Sequence, residues 1–167
     1  MVFVSIGTQD KEFDRLIEYI KRLKKENILK DDLIVQSGIT KVDFDNEKTD
    51  NEYNVEAFSF INSEKMKEYI SKAEYVIIHG GVGTIIQCIM QNKKTIVVPR
   101  LKKHSEHEND HQLEIAKKFK NLKLIEVAND YAELKNIILN IDNIEFEKYI
   151  STNDEFVTKL DEIIQYM

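Results

Sequence analysis

The segment YVIIHGGVGTIIQCIMQNKKTIVVPR, residues 75–100, contains two short apolar runs with a glycine cluster between them. The first run, YVIIH, predicts a buried strand, and the second, TIVVP, predicts another. Three of the chain's 5 glycines, Gly80, Gly81 and Gly83, follow the first run. Helical spacing begins at Gly83 and continues to Gln91. Strand, glycine turn, helix and strand in this order predict one unit of a parallel α/β sheet.

The same alternation extends in both directions along the chain. VFVSI, residues 2–6, predicts a strand that ends in a turn at Gly7. Further strands are predicted at DLIVQSG, NVEAFSF and LKLIEV, and helices at residues 13–23, 63–72, 107–119, 131–141 and 156–167. The polar stretch 41–53 is interpreted as a solvated loop. The pattern as a whole predicts a Rossmann-like, doubly wound parallel sheet with helices on both faces.

Composition narrows the class of protein. The chain has 167 residues, of which 42% are hydrophobic and 32% charged, as expected for one folded domain. A formal net charge of -6 without a basic block disfavours a nucleic-acid partner. The N-terminus does not have the pattern of a signal peptide, and no uncharged apolar run approaches the roughly 20 residues of a membrane-spanning helix. A single cysteine, Cys88, is typical of a reducing cytoplasm. We expect a cytoplasmic protein that meets a membrane only through a partner or a substrate.

The last segment is expected to have a separate role. Residues 1–150 are assigned to the ligand-binding domain, and residues 151–167 to a C-terminal amphipathic helix. This helix begins with STND, a capping-box pattern in which Ser151 and Asp154 can accept from the first free amides. Such helices most often pack on their own sheet, and the other possibility is an interface with a partner. Residues 151–167 are therefore a candidate docking element.

The glycine cluster lies where a strand meets a helix, which is where open α/β sheets bind ligands. Glycine lets an anionic group approach the free amides of a helix N-terminus without meeting a Cβ atom. We therefore expect an anion site at residues 80–83, and a tight turn with close packing is the structural alternative. Gly7 and Thr8 supply a second, weaker glycine turn at the same edge of the sheet. The nucleoside-triphosphate loop is absent, and Ile86 stands where the dinucleotide fingerprint needs its third glycine.

The segment RLKKHSEHENDHQ, residues 100–112, follows the strand TIVVP and is rich in histidine and acidic residues. His107 and His111 would share a helical face if the segment were helical, as two zinc ligands can. The His-Glu-x-x-His order of zinc proteases is absent, so a metal is disfavoured. We prefer a polar loop at the rim of a pocket, with donors and acceptors for a hydroxyl-rich ligand. A solvated helix start is the alternative for Glu108 and Glu114.

Three motifs together resemble one family. FVSIGTQDKEFDRLI, AEYVIIHGGVGTIIQCI and VVPRLKKHSEHENDHQLEIA are similar, in order and spacing, to the donor-binding half of the two-component UDP-sugar transferases. That group contains the small subunit of the eukaryotic dolichol-linked N-acetylglucosaminyltransferase and bacterial enhancer subunits of capsule and exopolysaccharide galactosyltransferases. The C-terminal domain of glycosyltransferase family 28, as in the peptidoglycan lipid-intermediate N-acetylglucosaminyltransferase, is a more distant likeness. The resemblance covers about residues 2–127.

By this resemblance the chain is one Rossmann-like half of a GT-B glycosyltransferase, and its glycine loop holds the diphosphate of a UDP-sugar. Helix-terminus amides would then do electrostatically what a metal does in other transferases, so neither a metal nor a cofactor is implied. Thr84 would lie at the phosphate end. Gln87 stands where a ribose-contacting glutamate is common in the family. His79 would line the phosphate site, pack there, or act as an acid or base.

The polar tract supplies the sugar end of the site by the same resemblance. Gln112 and His111 match the family's contacts with sugar hydroxyls. Glu106 and Asp110 match the acidic positions of its Glu-His-x-x-Asp-His-Gln tract. Arg100 opens the same tract and is counted with the UDP-sugar-binding residues.

The implied function is half of an enzyme, because a GT-B cleft closes between two such domains and this chain has room for one. A membrane-associated partner would carry the acceptor. The expected reaction is inverting transfer of galactose or N-acetylglucosamine from a UDP-sugar to a polyprenyl-diphosphate-linked saccharide in polysaccharide biosynthesis. Two alternatives stay open: a non-catalytic subunit that stabilises such a partner, and a stand-alone nucleotide-binding oxidoreductase.

Overall fold

Six short runs, four of them largely apolar, form one parallel sheet in the computed structural model, which describes residues 1–44 and 54–149 together with Thr158, residues 161–163 and Gln165. The strands are β1 (Val2–Ser5), β2 (Leu33–Gln36), β3 (Val55–Phe58), β4 (Tyr75–Ile78), β5 (Lys94–Val97) and β6 (Glu126–Val127). Their order across the sheet is β3-β2-β1-β4-β5-β6, and every neighbouring pair is parallel. The predicted Rossmann-like architecture is confirmed.

In the described part of the chain, four α-helices connect strands and a fifth follows β6. They are α1 (Asp14–Lys25), α2 (Ser63–Lys72), α3 (Val82–Met90), α4 (His111–Asn121) and α5 (Tyr131–Leu139). Side chains define two of the starts: Asn62 accepts a hydrogen bond from the Lys65 amide at 2.8 Å, and Asp130 accepts one from the Glu133 amide at 2.9 Å. A short 3₁₀ turn, Lys102–His104, lies between β5 and α4.

Both faces of the sheet are covered by apolar residues, as a parallel sheet requires. Val2 and Val4 of β1 belong to the core under α1 and α5, whereas Phe3 belongs to the core under α3 and α4. The stripe on α5 packs on its own sheet. Ile163, from the candidate docking segment, is also buried in the core under α3 and α4. The predicted capping residues Ser151 and Asp154, and the rest of that stripe, lie outside the described residues.

Two of the predicted elements begin four residues later than predicted. The helix predicted from His107 begins at His111, because Asp110 accepts from the Lys102 amide at 2.9 Å and the preceding residues follow a 3₁₀ turn with Ser105 at φ 59°. His107 therefore lies outside the helix that begins at His111, and the shared helical face on which the disfavoured zinc pairing depended is not formed. The segment LKLIEV forms only a two-residue strand. Its first residue, Leu122, is the C-cap of α4, and Lys123 has a left-handed backbone with φ 56°, so neither is extended. Most of the predicted loop 41–53 lies outside the described residues.

The strand order reverses between β1 and β4. The chain proceeds from β1 to β2 and β3 on one side, and from β4 to β5 and β6 on the other. The loops that follow β1 and β4 therefore diverge and leave a crevice beyond the carboxyl ends of these strands, which is where such sheets bind ligands. Over the described residues, no helix has both the length and the apolar composition needed to cross a bilayer.

Candidate functional site

A cleft of about 290 Å³ lies at this switch point. Its walls come from the β1–α1 turn, the β3–α2 loop and the first two turns of α3. The lining residues are Ser5, Gly7, Thr8, Gln36, Ile61, Asn62, Ser63, Met66, His79, Gly83, Thr84 and Gln87. Six of the predicted site residues meet here: Gly7, Thr8, His79, Gly83, Thr84 and Gln87.

The N-terminus of α3 gives this cleft its electrostatic character. Gly81 is the N-cap and has no side chain to accept from the helix, and the first helical hydrogen bond runs from the Ile85 amide to the Gly81 carbonyl. The amides of the first turn, up to Thr84, therefore lack helical acceptors. Of the five described α-helices, α3 alone has no acidic residue in its first turn. The positive end of its dipole is left for an anion.

The glycines of the cluster have different roles. A Cβ atom on Gly81 would lie 2.2 Å from Nε2 of His79, and one on Gly80 would lie 2.7 Å from Cβ of Gln112. Close packing, the structural alternative, therefore accounts for these two positions. Gly83 is different, because a Cβ atom there would meet nothing within 4 Å among the described residues. Gly83 is exposed in the cleft and leaves the helix backbone open to a ligand.

His79 lies between the two glycine turns. Its Nδ1 is 3.4 Å from the Ser5 carbonyl oxygen, and a Cβ atom on Gly7 would lie 2.6 Å from its Nε2. Burial lowers the pKa of His79 to about 4, against the smaller opposing effect of the Ser5 carbonyl. The imidazole is therefore neutral at pH 7. It adds shape but no positive charge to the cleft, and a base with so low a pKa is a weak proton acceptor.

Gln87 brings an unused acceptor to the cleft. Its Oε1 atom is buried and has no hydrogen-bond partner within the described part of the chain. A buried carbonyl oxygen without a donor is costly, so a bound hydroxyl or water would stabilise it. Thr84, one turn earlier on α3, lines the same cleft with a half-buried side chain.

Gln112, Arg100 and Glu106 are engaged by the protein itself. Gln112 Oε1 accepts from the amides of Gly80 at 3.2 Å and Arg100 at 3.1 Å, which ties the glycine loop to the end of β5. The Arg100 guanidinium is 1% exposed and donates to the carbonyls of Ile6 and Lys11. These predicted ligands form the scaffold behind the cleft.

Glu106 closes this scaffold. Its carboxylate accepts two hydrogen bonds from Arg15, both at 2.8 Å, and a third from the Leu101 amide at 2.9 Å. Such bidentate pairs are strong and fix orientation. The predicted pair Asp110 and His111 lies further out, where Nδ1 of His111 is 3.5 Å from the Glu114 carboxylate. None of these residues is among those that line the cleft in the described structure.

Sequence reasoning missed half of the lining. Ser5, Gln36 and the β3–α2 residues Ile61, Asn62, Ser63 and Met66 belong to it. A signal existed for Gln36, since it ends the predicted strand DLIVQSG and the ends of parallel strands share one edge. The β3–α2 residues carry no such signal, because they are ordinary polar and apolar residues of a loop and a first helical turn.

A larger cleft, about 600 Å³, lies between α4 and α5 at the β6 edge of the sheet. Lys117, Lys120, Glu126 and Glu133 line it with mixed charges. Since it is away from the switch point and contains none of the predicted site residues, the smaller cleft is the better candidate site. The described residues contain no group of three or more side chains placed to hold a metal ion.

Comparison with known proteins identifies the family of the chain. The family model of the glycosyltransferase family 28 C-terminal domain matches residues 1–165. The UDP-N-acetylglucosamine transferase subunit ALG13 of Candida albicans is 33% identical over 89 residues, which make up 53% of this chain and 29% of that protein. The match thus spans less than a third of the curated relative.

Solved structures show the same fold at low identity. The solution structure of ALG13 has a TM-score of 0.63 at 19% identity, covering 98% of this chain and 96% of that one. The kitacinnamycin glycosyltransferase has a TM-score of 0.58 at 14% identity, covering 98% of this chain and 38% of that one. The calicheamicin glycosyltransferase CalG4 has a TM-score of 0.54 at 15% identity, covering 98% of this chain and 38% of that one. The fold is that of one Rossmann-like half of a GT-B glycosyltransferase.

Proposed function

The chain belongs to the glycosyltransferase family 28 C-terminal domain family, and from that premise we propose that it is the donor-binding subunit of a two-component UDP-sugar transferase. The observation that carries the proposal is the cleft at the switch point, where the uncompensated N-terminus of α3 meets the Gly7 turn. A diphosphate fits this electrostatic setting because helix-terminus amides donate to anions without a metal. The ALG13 relative, whose name describes a transferase subunit that uses UDP-N-acetylglucosamine, supports the same assignment.

The donor would lie with its diphosphate at Gly83 and Thr84. Gln87, one turn further along α3, would accept from the ribose hydroxyls through its unpaired Oε1. In the transition state, negative charge develops on the leaving UDP, and fixed amides that already face the diphosphate would stabilise it. This is the chemical work that the described residues of the cleft can do.

Activation of the acceptor requires residues from elsewhere. Of the described residues that line the cleft, His79 is the only one that titrates near neutral pH in its ordinary state, and burial keeps it neutral. Inverting transfer needs a base that removes the proton of the acceptor hydroxyl. We assign that base, and the acceptor site, to a membrane-associated partner subunit. The chain itself would be cytoplasmic and recruited to the inner face of the membrane.

The finer assignment concerns donor and acceptor. We propose transfer of galactose or N-acetylglucosamine to a polyprenyl-diphosphate-linked saccharide, in the synthesis of a capsule or exopolysaccharide. Residues 151–167 are the proposed docking element, although Ile163 of that segment is buried against the chain's own sheet. Deletion of Ser151 to Met167 should abolish the complex, and a truncated chain that still co-purifies with its partner would refute this role.

Calorimetric titration of the folded chain with UDP, and with NAD as a control, tests the donor assignment. Binding of UDP and not NAD supports it. The alternative is a non-catalytic subunit that only stabilises its partner. It stays open because Gln87 lacks the charge of the glutamate that is common in the family at this position. A Gly83→Val variant that forms the complex distinguishes the two, because loss of transfer with an intact complex excludes a purely stabilising subunit. Gln112→Ala is less informative, since Gln112 holds two backbone amides in place.

A further inference from the structure

Gln36 occupies a position at which every hydrogen-bonding group of its side chain is used. It is the last residue of β2 and is 2% exposed. Its Oε1 accepts from Ser5 Oγ at 2.8 Å and from the Gly7 amide at 3.2 Å. Its Nε2 donates to the Gly7 carbonyl at 2.9 Å and to the Ser59 carbonyl at 3.0 Å. An amide side chain can accept two hydrogen bonds and donate two, and Gln36 makes all four.

These partners belong to two opposite walls of the cleft. Gly7 forms the turn after β1, and Ser59 begins the loop after β3 that supplies Ile61 and Asn62 to the lining. Gln36 itself lines the cleft between them. The side chain therefore connects one wall to the other through two donated and two accepted bonds.

The pattern of partners requires an amide. A carboxylate of the same shape could accept from the Gly7 amide, but it would repel the carbonyls of Gly7 and Ser59. An apolar side chain would leave these backbone groups buried without partners, which is costly. Gln is thus the side chain of this length that satisfies an N–H and two carbonyls at once.

The backbone at Gly38, two residues after Gln36, also contacts both Gly7 and Ser59. Gly38 has φ 55°, and a Cβ atom there would lie 2.5 Å from the Gly7 carbonyl oxygen. The Gly38 amide donates to the Ser59 carbonyl at 2.8 Å. Both residues of the segment therefore approach the same two walls.

We propose that Gln36 is a positioning residue that fixes the Gly7 turn relative to the β3–α2 loop and so sets the width of the donor cleft. The Gly7 turn in turn contacts His79, which packs against Gly81 at the start of α3. Through these contacts one neutral side chain holds three walls of the cleft in register. The consequence for UDP rests on the proposed function, whereas the positioning itself does not.

Amide hydrogen exchange measured by NMR tests the positioning directly. In Gln36→Met all four bonds are lost, and exchange of the Gly7 amide should become about ten-fold faster or more, while amides of β4 keep their wild-type rates. In Gln36→Glu the bond to the Gly7 amide is kept but the carboxylate repels the carbonyls of Gly7 and Ser59, so the protection of the Gly7 amide should be restored only in part. Gln91→Met, at the far end of α3, is the matched control and should leave Gly7 unchanged. Equal protection of Gly7 in the wild type and in Gln36→Met would overturn the proposal.

The wild-type chain gives a second test that does not depend on the folding of a variant. The two Nε2 protons of Gln36 should exchange slowly with solvent, and exchange as fast as that of an exposed glutamine would also overturn the proposal.

UDP titration of the same samples separates the donor assignment from the positioning role of Gln36. A wild-type chain that binds no UDP removes the donor assignment, while the exchange of Gly7 still decides the role of Gln36. If UDP binds, Gln36→Met should weaken it about ten-fold and Gln91→Met should not.

Discussion

A Cβ atom on Gly81 would lie 2.2 Å from Nε2 of His79. A neighbouring side chain therefore requires glycine at this position. Two residues further along, Gly83 has no such neighbour among the described residues. The pair offers a clean separation of packing from binding.

We predict opposite effects for alanine at these two glycines. Gly81→Ala must displace the buried imidazole and should destabilise the fold by about 1–3 kcal/mol, the usual cost of overpacking. Gly83→Ala adds a methyl group in open space on a helix and should stabilise it by up to about 1 kcal/mol. Urea denaturation measures both. Equal destabilisation by the two changes would contradict the packing described for His79.

Although Gly83→Ala should stabilise the fold, it should weaken the binding of UDP. Its methyl group would stand between the helix amides and an approaching phosphate, so Gly83→Ala should weaken UDP although the fold is intact. Isothermal calorimetry gives the affinity, and an unchanged dissociation constant would move the diphosphate away from this turn.

Stability should depend on pH through His79. The pKa of this histidine is about 4 in the folded chain and about 6.5 when unfolded, so the unfolded state binds more protons between these values. Stability is then full above pH 6.5 and falls as the pH decreases toward 4, by about 2 kcal/mol between pH 7 and pH 5. Denaturation at the two pH values measures the loss. His79→Gln should make the stability less dependent on pH. His104→Gln changes an exposed histidine and is the control, which should keep the wild-type dependence. A wild type that is equally stable at both pH values would show that His79 is not buried as described.

Gln87→Glu should tighten UDP binding. A carboxylate accepts from ribose hydroxyls more strongly than an amide oxygen, and a gain of about ten-fold in affinity is expected. Gln91→Glu adds the same charge at the opposite end of α3 and serves as the control. If both variants bind UDP with wild-type affinity, Gln87 does not contact the donor.

Glu106 should prove to be a structural residue. Glu106→Ala removes one partner of the partly buried Arg15 guanidinium and the acceptor of the Leu101 amide, at a cost of about 2–3 kcal/mol. Glu108→Ala breaks only the exposed surface pair with Lys11 and should leave the stability close to that of the wild type. Thermal denaturation compares them. A Glu106→Ala variant of wild-type stability that loses only UDP affinity would instead support the direct ligand role expected from the resemblance.

The sheet could be predicted because its strands are short apolar runs bounded by turn residues. Each predicted strand overlaps an observed one, and helix α2 has the predicted bounds, since Asn62 caps it and the apolar spacing ends at Lys72. The start of α4 could not be predicted. Helical spacing in the sequence continues back to His107, but Asp110 bonds to the distant Lys102 amide, a contact that no local pattern reveals.

The sequence pointed to the candidate cleft only through its glycine turns. The glycines after β4 and the turn at Gly7 indicated the edge of the sheet at which this cleft lies. The roles within the cluster depended on contacts between distant segments, such as Gly80 with Gln112 and Gly81 with His79. The β3–α2 wall could not be predicted, because it depends on how the chain returns from the edge strand β3 to the middle of the sheet, and its residues have no distinctive chemistry.

The most direct test of the central claim is an NMR titration of the ¹⁵N-labelled chain with UDP, with NAD as the control. We expect shifts of the Gly83 and Thr84 amides at the start of α3, accompanied by shifts of Ile61 to Ser63 on the opposite wall, and no comparable response to NAD. Shifts confined to the groove between α4 and α5, or a folded chain whose spectrum does not respond to UDP, would contradict the claim that this cleft binds the donor.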